Sequence, residues 1–213
     1  MRIQHTPQAI EAQSFAIIDA EIGEHNFPED EWTIVRRVIH ATADFDFAKT
    51  IRFHPEAIVS SLKALLNGCH IITDVRMVKV GISKALLGRF GGSVKCFISH
   101  PDVAEKAKHL GLTRSIVAMR KALPYVNGGI AVIGNAPTAL FEMIRLVQSG
   151  VAKPLLIVGV PVGFVAAEES KSALLKLGGI PFITNEGRKG GSAVAVAITN
   201  ALLQLAIAKR EEK

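Results

Sequence analysis

Cysteine, tryptophan and tyrosine are scarce in this 213-residue chain, which has two, one and one of them respectively. Cys69 and Cys96 each begin an apolar run, and no Cys-x-x-Cys pattern or Cys/His cluster occurs at metal-ligand spacing. We interpret both as buried free thiols. The seven histidines form no His-Glu-x-x-His pattern, so a zinc hydrolase has no support and we expect no metal site.

Glycine-rich phosphate-binding motifs are absent as well. Neither a Walker loop nor a Gly-x-Gly-x-x-Gly fingerprint occurs at a strand-to-helix turn, which weakens nucleotide and dinucleotide hypotheses and predicts no cofactor. The longest uncharged tail segment, residues 193–208, is interrupted by polar residues and is shorter than the ~20 apolar residues of a bilayer span. We interpret it as a buried helix. Since the first fifteen residues contain no secretory signal pattern, we expect a cytoplasmic protein without membrane contact.

Acidic residues are outnumbered by basic ones, 19 against 25, which gives a net charge of +6. A positive charge of this size favours an anionic partner. Proteins that bind nucleic acid typically carry a basic stripe interleaved with aromatic residues, and this chain has only dispersed Lys and Arg. The charge therefore favours a small polyanion over a nucleic acid.

The N-terminal third predicts helices. Their ranges are Pro7 to Ile22, with Thr6 as cap and Gly23 as the stop; Pro28 to about Thr42; and a third from Pro55 to Gly68.

From residue 69, short runs rich in Ile and Val alternate with helical segments. The predicted strands are Cys69–Thr73, Val94–Ser99, Ile130–Gly134, Leu155–Val160 and Pro181–Thr184. Strands separated by helix-length crossovers are typical of a parallel sheet covered on both faces. We predict one α/β domain over residues 1–213, with a mainly helical segment at 1–68 and a doubly wound core at 69–213.

Polar or glycine residues follow each predicted strand, at the edge where ligands bind in such sheets. They include Asp74, His100, Asn135 and Asn185. Ordinary turn chemistry explains any single one equally well. The segment Gly187–Ser192 places two bases and three glycines before the last helix, and is interpreted either as an anion-binding helix start or as a basic turn.

Two further residues, Arg114 and Ser14, have unusual positions. Arg114 follows the cap residue Thr113, in a first helical turn where the helix dipole disfavours a cation, so either an anionic ligand or solvent compensates it. Ser14 lies within the apolar stripe of the first helix, where its hydroxyl needs a partner, and bonding to its own backbone is the simplest solution.

His40 and Arg37 lie off the apolar arc of the second helix, which is formed by Trp32, Val35 and Ile39. The helix C-terminus favours a charged imidazole, and the neighbouring arginines oppose that charge. A plain surface histidine is the alternative interpretation.

Four motifs together resemble the precorrin-8X methylmutase family over nearly the whole chain. They are Arg37-Val38-Ile39-His40; Gly134-Asn135-Ala136-Pro137-Thr138-Ala139-Leu140; Pro161-Val162-Gly163-Phe164-Val165 with Glu169-Ser170-Lys171; and the segment Gly187–Ser192. One departure is Glu168, where a small residue is expected. We predict that Glu168 points into solvent from a helix start, where an acid is favoured.

The resemblance implies an isomerase that moves a methyl group from carbon 11 to carbon 12 of a corrin precursor in cobalamin biosynthesis, without an external methyl donor. It implies a homodimer, places the catalytic histidine at His40, and carries substrate contacts over to Ser14, Arg37 and Arg114. Asn135 and Arg188 complete the predicted substrate-binding set, because the substrate carries several carboxylates.

Two other functions remain open from the residues. A methyltransferase using S-adenosylmethionine normally has a glycine-rich loop after its first strand, which this chain lacks. A noncatalytic carrier of a tetrapyrrole or another polyanion explains the charge without needing His40. Whether the substrate contains cobalt is not determined by these motifs.

Overall fold

The computed structural model describes residues 6–212. Its helices are α1 (Pro7–Ile22), α2 (Glu29–Thr42), α3 (Phe47–Thr50), α4 (Ala57–Leu66), α5 (Arg76–Gly81), α6 (Lys84–Gly88), α7 (Pro101–Leu110), α8 (Arg114–Ala122), α9 (Pro137–Gln148), α10 (Ala167–Leu175) and α11 (Ser192–Glu211), with a 3-10 turn at Leu123–Tyr125. Its strands are β1 (Ile51–Phe53), β2 (His70–Thr73), β3 (Ser93–Lys95), β4 (Ile130–Ile133), β5 (Leu156–Gly159) and β6 (Phe182–Asn185).

The strands form one six-stranded sheet in the order β1-β6-β5-β4-β2-β3. All neighbouring pairs are parallel except β1 and β6, which are antiparallel. The predicted α/β class with an N-terminal helical segment is confirmed. The strand predicted at Val94–Ser99 is shorter, because only Ser93–Lys95 pairs with β2. The sequence analysis missed β1, whose three residues are too few to show a strand period.

Alternate residues of the central strands pack on opposite faces of the sheet. Ile130 and Val132 of β4 lie in one core with α2, α4 and α11, whereas Ala131 and Ile133 lie in a second core with α7, α8 and α9. Side chains alternate across a strand, so a strand buried on both faces is apolar throughout. The two cores show that the sheet is doubly wound.

Helix α11 is the central helix of the first core. By length and composition it is the one described helix that qualifies as a membrane span. However, Ala195, Ile198 and Leu202 are fully buried, and the helix packs against α2 and α4. This packing confirms the interpretation of the tail segment as a core helix.

The first helix is attached to the body by the apolar side chains Phe15, Ile18 and Ile22 and by polar contacts. Thr6 caps it by accepting a hydrogen bond from the Ala9 amide at 3.3 Å, and Gly23 ends it with a φ of 66°. Ile18 is its one buried residue among those described. Asp19 accepts from Trp32 at 3.1 Å and from Arg36 at 2.8 Å, which fastens α1 to α2.

Candidate functional site

A cavity of about 320 Å³ between α1 and α2 contains the predicted catalytic residue. Its walls include Ser14, Ile17, His40 and Phe45. The imidazole of His40 is exposed, in the last turn of α2. Ser14 donates to the Ile10 carbonyl at 2.9 Å, which is the backbone bond expected from the sequence, and the residue lines the cavity. The structure therefore brings Ser14 and His40 together.

One aromatic ring contacts three neighbouring side chains of α2. The Phe15 ring centroid is 4.5 Å from the Arg36 guanidinium, 4.8 Å from that of Arg37, and 5.5 Å from the His40 ring, which meets it edge to face. Cation–π and edge-to-face contacts restrict the orientation of side chains that are otherwise free at the surface. Phe15 thus helps to orient both His40 and Arg37.

Arg37 is already bound to a carboxylate. It donates to Glu11 and, at 3.2 Å, to the Gln204 side-chain oxygen. The hydrogen bond from Arg37 lowers the pKa of the Glu11 carboxyl, and the nearby charge of His40 acts in the same direction. Arg37 lines a second cavity, of about 450 Å³, between α2, α6 and α11. Arg37 and His40 are one turn apart, yet they line different cavities.

The strand order changes direction between β2 and β4, the position where doubly wound sheets bind ligands. Asp74, directly after β2, is fully buried there. Its carboxylate accepts from the amides of Gly134 at 3.2 Å, Asn135 at 2.8 Å and Ala136 at 2.7 Å. Burial raises the pKa of this carboxyl, and the three amide donors act in the opposite direction. The side chain of Asn135 is exposed at this edge.

Arg114 begins α8 close to the same loop. Its cap residue Thr113 accepts from the Ile116 amide and donates to the Thr138 hydroxyl, both at 3.3 Å. Thr138 lies in the first turn of α9, three residues after Asn135. Arg114 itself is exposed, with no side-chain hydrogen bond to any residue between 6 and 212. Its guanidinium is therefore accessible to solvent or to an anionic ligand, and both interpretations from the sequence stay open.

Arg188 lies in the loop after β6, against an exposed apolar segment. Its guanidinium is 5.8 Å from the Phe164 ring centroid, and Phe164 and Val165 are 87% and 85% exposed. The Gly163 amide donates to the Arg188 carbonyl at 3.2 Å, so the loops that follow β5 and β6 are paired. This places a cation beside a projecting aromatic ring.

The His40 end of α2 lies beside the loop that carries Arg188. Lys189 donates to Asp44 and to Asp46, each at 2.7 Å, and both acids follow the C-terminus of α2. Arg37 lies farther from the loop that carries Arg188. Its partner Gln204 is twelve residues after Ser192, where that loop ends, or ~18 Å along α11. The structure thus groups Ser14 with His40 and brings the Arg188 loop near the end of α2.

Asp74 and Asn185 were expected at this edge of the sheet and Lys171 was part of a motif, but the sequence did not reveal that all three are buried beneath the loops. A signal was present for Lys171, which occupies a core position of α10 together with Ala167 and Leu174 at helical spacing. Glu168 is exposed in the first turn of α10, which confirms that prediction.

The chain matches known proteins along nearly its full length. The family model for precorrin-8X methylmutase matches residues 9–205. A cobalt-precorrin-8 methylmutase of Priestia megaterium is 52% identical over 94% of this chain and 88% of that protein, and a precorrin-8X methylmutase of Pseudomonas aeruginosa is 43% identical over 92% and 94%. The crystal structure of precorrin-8X methylmutase from Thermus thermophilus superposes with a TM-score of 0.88 at 42% identity, covering 95% of this chain and 97% of that one.

Proposed function

Because the chain belongs to the precorrin-8X methylmutase family of isomerases in cobalamin biosynthesis, we propose that it moves a methyl group from carbon 11 to carbon 12 of a corrin precursor at the His40 cavity. The observation that carries this proposal is the shared cavity of Ser14 and His40, in which an exposed imidazole faces open space. His40 belongs to one of the motifs that carry the resemblance to the family, and the resemblance implies a substrate contact for Ser14.

The reaction is an isomerisation, so every atom of the substrate is kept. The bond from the methyl carbon to carbon 11 breaks as the bond to carbon 12 forms, and no methyl donor or oxidant is consumed. His40 exchanges a proton or a hydrogen bond with the macrocycle close to these carbons, a contribution that is typically ~10²- to 10⁴-fold for a positioned acid or base. Ser14 and the cavity walls hold the ring in the orientation that favours the shift.

The substrate's peripheral carboxylates are bound by Arg37, Arg114 and Arg188, with Asn135 as a neutral donor. Arg114 and Arg188 are exposed, whereas Arg37 must exchange Glu11 for a substrate carboxylate. Hydrogen bonds from guanidinium to carboxylate are among the stronger ones in proteins, so three of them are sufficient to orient a large ring.

The enzyme acts as a cytoplasmic homodimer. A cavity of about 320 Å³ is at the lower limit for a drug-sized ligand, ~300 Å³, and a corrin precursor is larger, so a second surface is needed to enclose it. Ile17 lines this cavity and is 47% exposed, as expected for a residue that packs against a second subunit.

Turnover of the metal-free precursor by purified protein, without S-adenosylmethionine, tests the proposal. We expect a stoichiometric isomer whose methyl group is on carbon 12. Dependence on the donor would indicate a methyltransferase, and tight binding without conversion would indicate a carrier. Comparing rates on the metal-free and cobalt-containing precursors identifies the natural substrate.

A further inference from the structure

Lys171 is a fully buried lysine directly beneath the loop that carries Arg188. It projects from α10, and its ammonium group donates to the Lys189 carbonyl at 2.6 Å and to the Asn185 side-chain oxygen at 3.4 Å. The Asn185 amide group donates to the same Lys189 carbonyl at 2.8 Å. Two buried side chains therefore hold one backbone carbonyl, and the loop is anchored immediately after Arg188.

The loop itself is glycine-rich and needs this support. Gly187, Gly190 and Gly191 have φ values of 73°, 146° and 118°, a region that favours glycine. A Cβ on Gly190 would lie 2.4 Å from the Val160 carbonyl oxygen, so the chain approaches the end of β5 closely there. Without the contacts from Lys171 and Asn185, the glycines would allow this loop many conformations. The two hydrogen bonds to the Lys189 carbonyl select one of them.

Lys171 makes these contacts without an ion pair to any described acid, since no carboxylate oxygen lies within salt-bridge distance of its ammonium group. Burial lowers the pKa of its ammonium group to about 8, although the nearby charge of Glu168 raises it. A buried charge is unfavourable unless its hydrogen bonds compensate for lost hydration. An apolar side chain of similar length fills the same space without that penalty, so packing alone does not account for a lysine here.

We propose that Lys171 is a positioning residue, which orients Arg188 toward the substrate by fixing the Lys189 carbonyl. This inference rests on the proposed function of Arg188 as a carboxylate ligand. Lys171 has no contact with solvent, so it acts through the loop and does not touch the substrate.

A double-mutant cycle tests the proposal on the full-length enzyme. The variants are Lys171→Met, Arg188→Ala and both together, with Lys176→Met as a control that changes an exposed lysine at the end of the same helix. We expect Lys171→Met and Arg188→Ala each to raise KM by about ten-fold with kcat nearly unchanged, because binding is lost equally in the ground and transition states. The KM of the double variant should be no higher than that of the single variant with the higher KM, because both changes remove the same interaction.

The outcomes separate this inference from the proposed function. If Arg188→Ala raises KM and Lys171→Met does not, or if the two effects multiply, the positioning role is wrong. If Arg188→Ala leaves KM unchanged, its proposed carboxylate contact is wrong, and a role of Lys171 through it is excluded as well. If Lys171→Met lowers kcat and leaves KM unchanged, the proposal is overturned as well.

Asn185→Ala gives an independent test if Lys171→Met does not fold. This smaller deletion removes the second donor to the Lys189 carbonyl and leaves Lys171 in place. We expect a KM increase of roughly three-fold that is not additive with Arg188→Ala. An unchanged KM in a folded Asn185→Ala enzyme would contradict the anchoring of the loop at this carbonyl.

Discussion

His40 lies at the surface of a helix whose opposite side is core. Val38 and Ile39 beside it are almost completely buried, whereas the His40 ring contacts Phe15 and is otherwise exposed. Substitutions of exposed residues usually change the free energy of unfolding by within ~0.5 kcal/mol. Function and stability are therefore separable at this position.

His40→Ala should lower kcat by about 10²-fold or more while the melting temperature and the product affinity stay near those of the wild type. The arginines that we propose as carboxylate ligands are untouched, so we expect binding to persist. Calorimetric titration with product and steady-state turnover check both expectations. Near-native turnover would remove His40 from the mechanism, and joint loss of binding and turnover would make it a binding residue.

His40→Asn keeps a hydrogen bond without titrating, so activity of this variant would show that proton exchange is not required.

The proposed recognition of carboxylates by Arg37, Arg114 and Arg188 predicts a salt-dependent affinity. Product binding should weaken as ionic strength rises, because exposed charges are screened over about 10 Å at 0.1 M salt. Amidating the ligand's carboxylates should weaken binding by more than about ten-fold, or roughly 1.4 kcal/mol. Equal affinities of the acid and amide forms, measured by fluorescence titration, would contradict the assignment.

At the scale of secondary-structure elements, two loops at the sheet edge are each held by a buried charged side chain. Asp74 holds the loop between β4 and α9 through three amides, and Lys171 holds the loop between β6 and α11 through a carbonyl. The first loop carries Asn135 and the second carries Arg188. The exposed side chains therefore depend on buried ones for their orientation.

Asp74→Asn replaces one acceptor oxygen by a donor, which leaves at least one of the three loop amides without a partner. An unsatisfied buried donor costs about 1–3 kcal/mol, so the free energy of unfolding should fall by that amount, and product affinity should fall through Asn135. Urea titrations of Asp74→Asn and of a control, Asp102→Asn, measure the difference. Asp102 is exposed and pairs with Lys121 at the surface, where an ion pair contributes little, so its change should leave the stability near that of the wild type. Equal stability of the two variants would be evidence against the anchor.

The depressed pKa of Lys171 predicts a pH-dependent stability. Its pKa is about 8 in the folded protein and 10.5 unfolded, so the unfolded chain binds more protons between these values. Stability from this group therefore rises with pH from about 8 to 10.5, by roughly 3 kcal/mol at most. Other titrations cancel in the difference between wild type and Lys171→Met, measured by urea unfolding at pH 7.5, 9 and 10.5. A difference independent of pH would show that the burial does not perturb this lysine.

At the scale of the whole molecule, α1 presents apolar side chains without partners. Ile10 and Ile17 are 50% and 47% exposed, whereas Phe15, Ile18 and Ile22 of the same helix pack against the body. Because Ile17 also borders the His40 cavity, a second subunit packed on α1 would close that cavity.

Ile17→Glu should convert the proposed dimer into a monomer, because a carboxylate buried at an interface loses its hydration. Turnover should fall with dimerisation. Sedimentation at micromolar concentration measures the state, with Val59→Glu as a control that adds the same charge at a 69% exposed position on α4. A wild-type monomer with full activity would contradict the dimer.

Local sequence patterns determined the class of the fold and most of its elements. The limits of α1, with Thr6 and Gly23 at its ends, follow from capping preferences and helical spacing. Five strands follow from short β-branched runs between helical segments. The motif containing His40 was recognisable because it consists of a few consecutive residues. The exposure of His40 on the polar side of α2 also follows from local helical spacing.

The tertiary structure alone decided which distant residues meet. Strand β1 exists because Ile51–Phe53 pair with β6, more than 120 residues away in the sequence, and three residues carry too weak a local preference to reveal that. The pairing of Arg37 with Glu11 and the burial of Lys171 under the Arg188 loop likewise depend on packing between helices and loops far apart in the chain. A charged residue type suggests the surface, and only the packed arrangement shows that Lys171 is buried and which groups it contacts there.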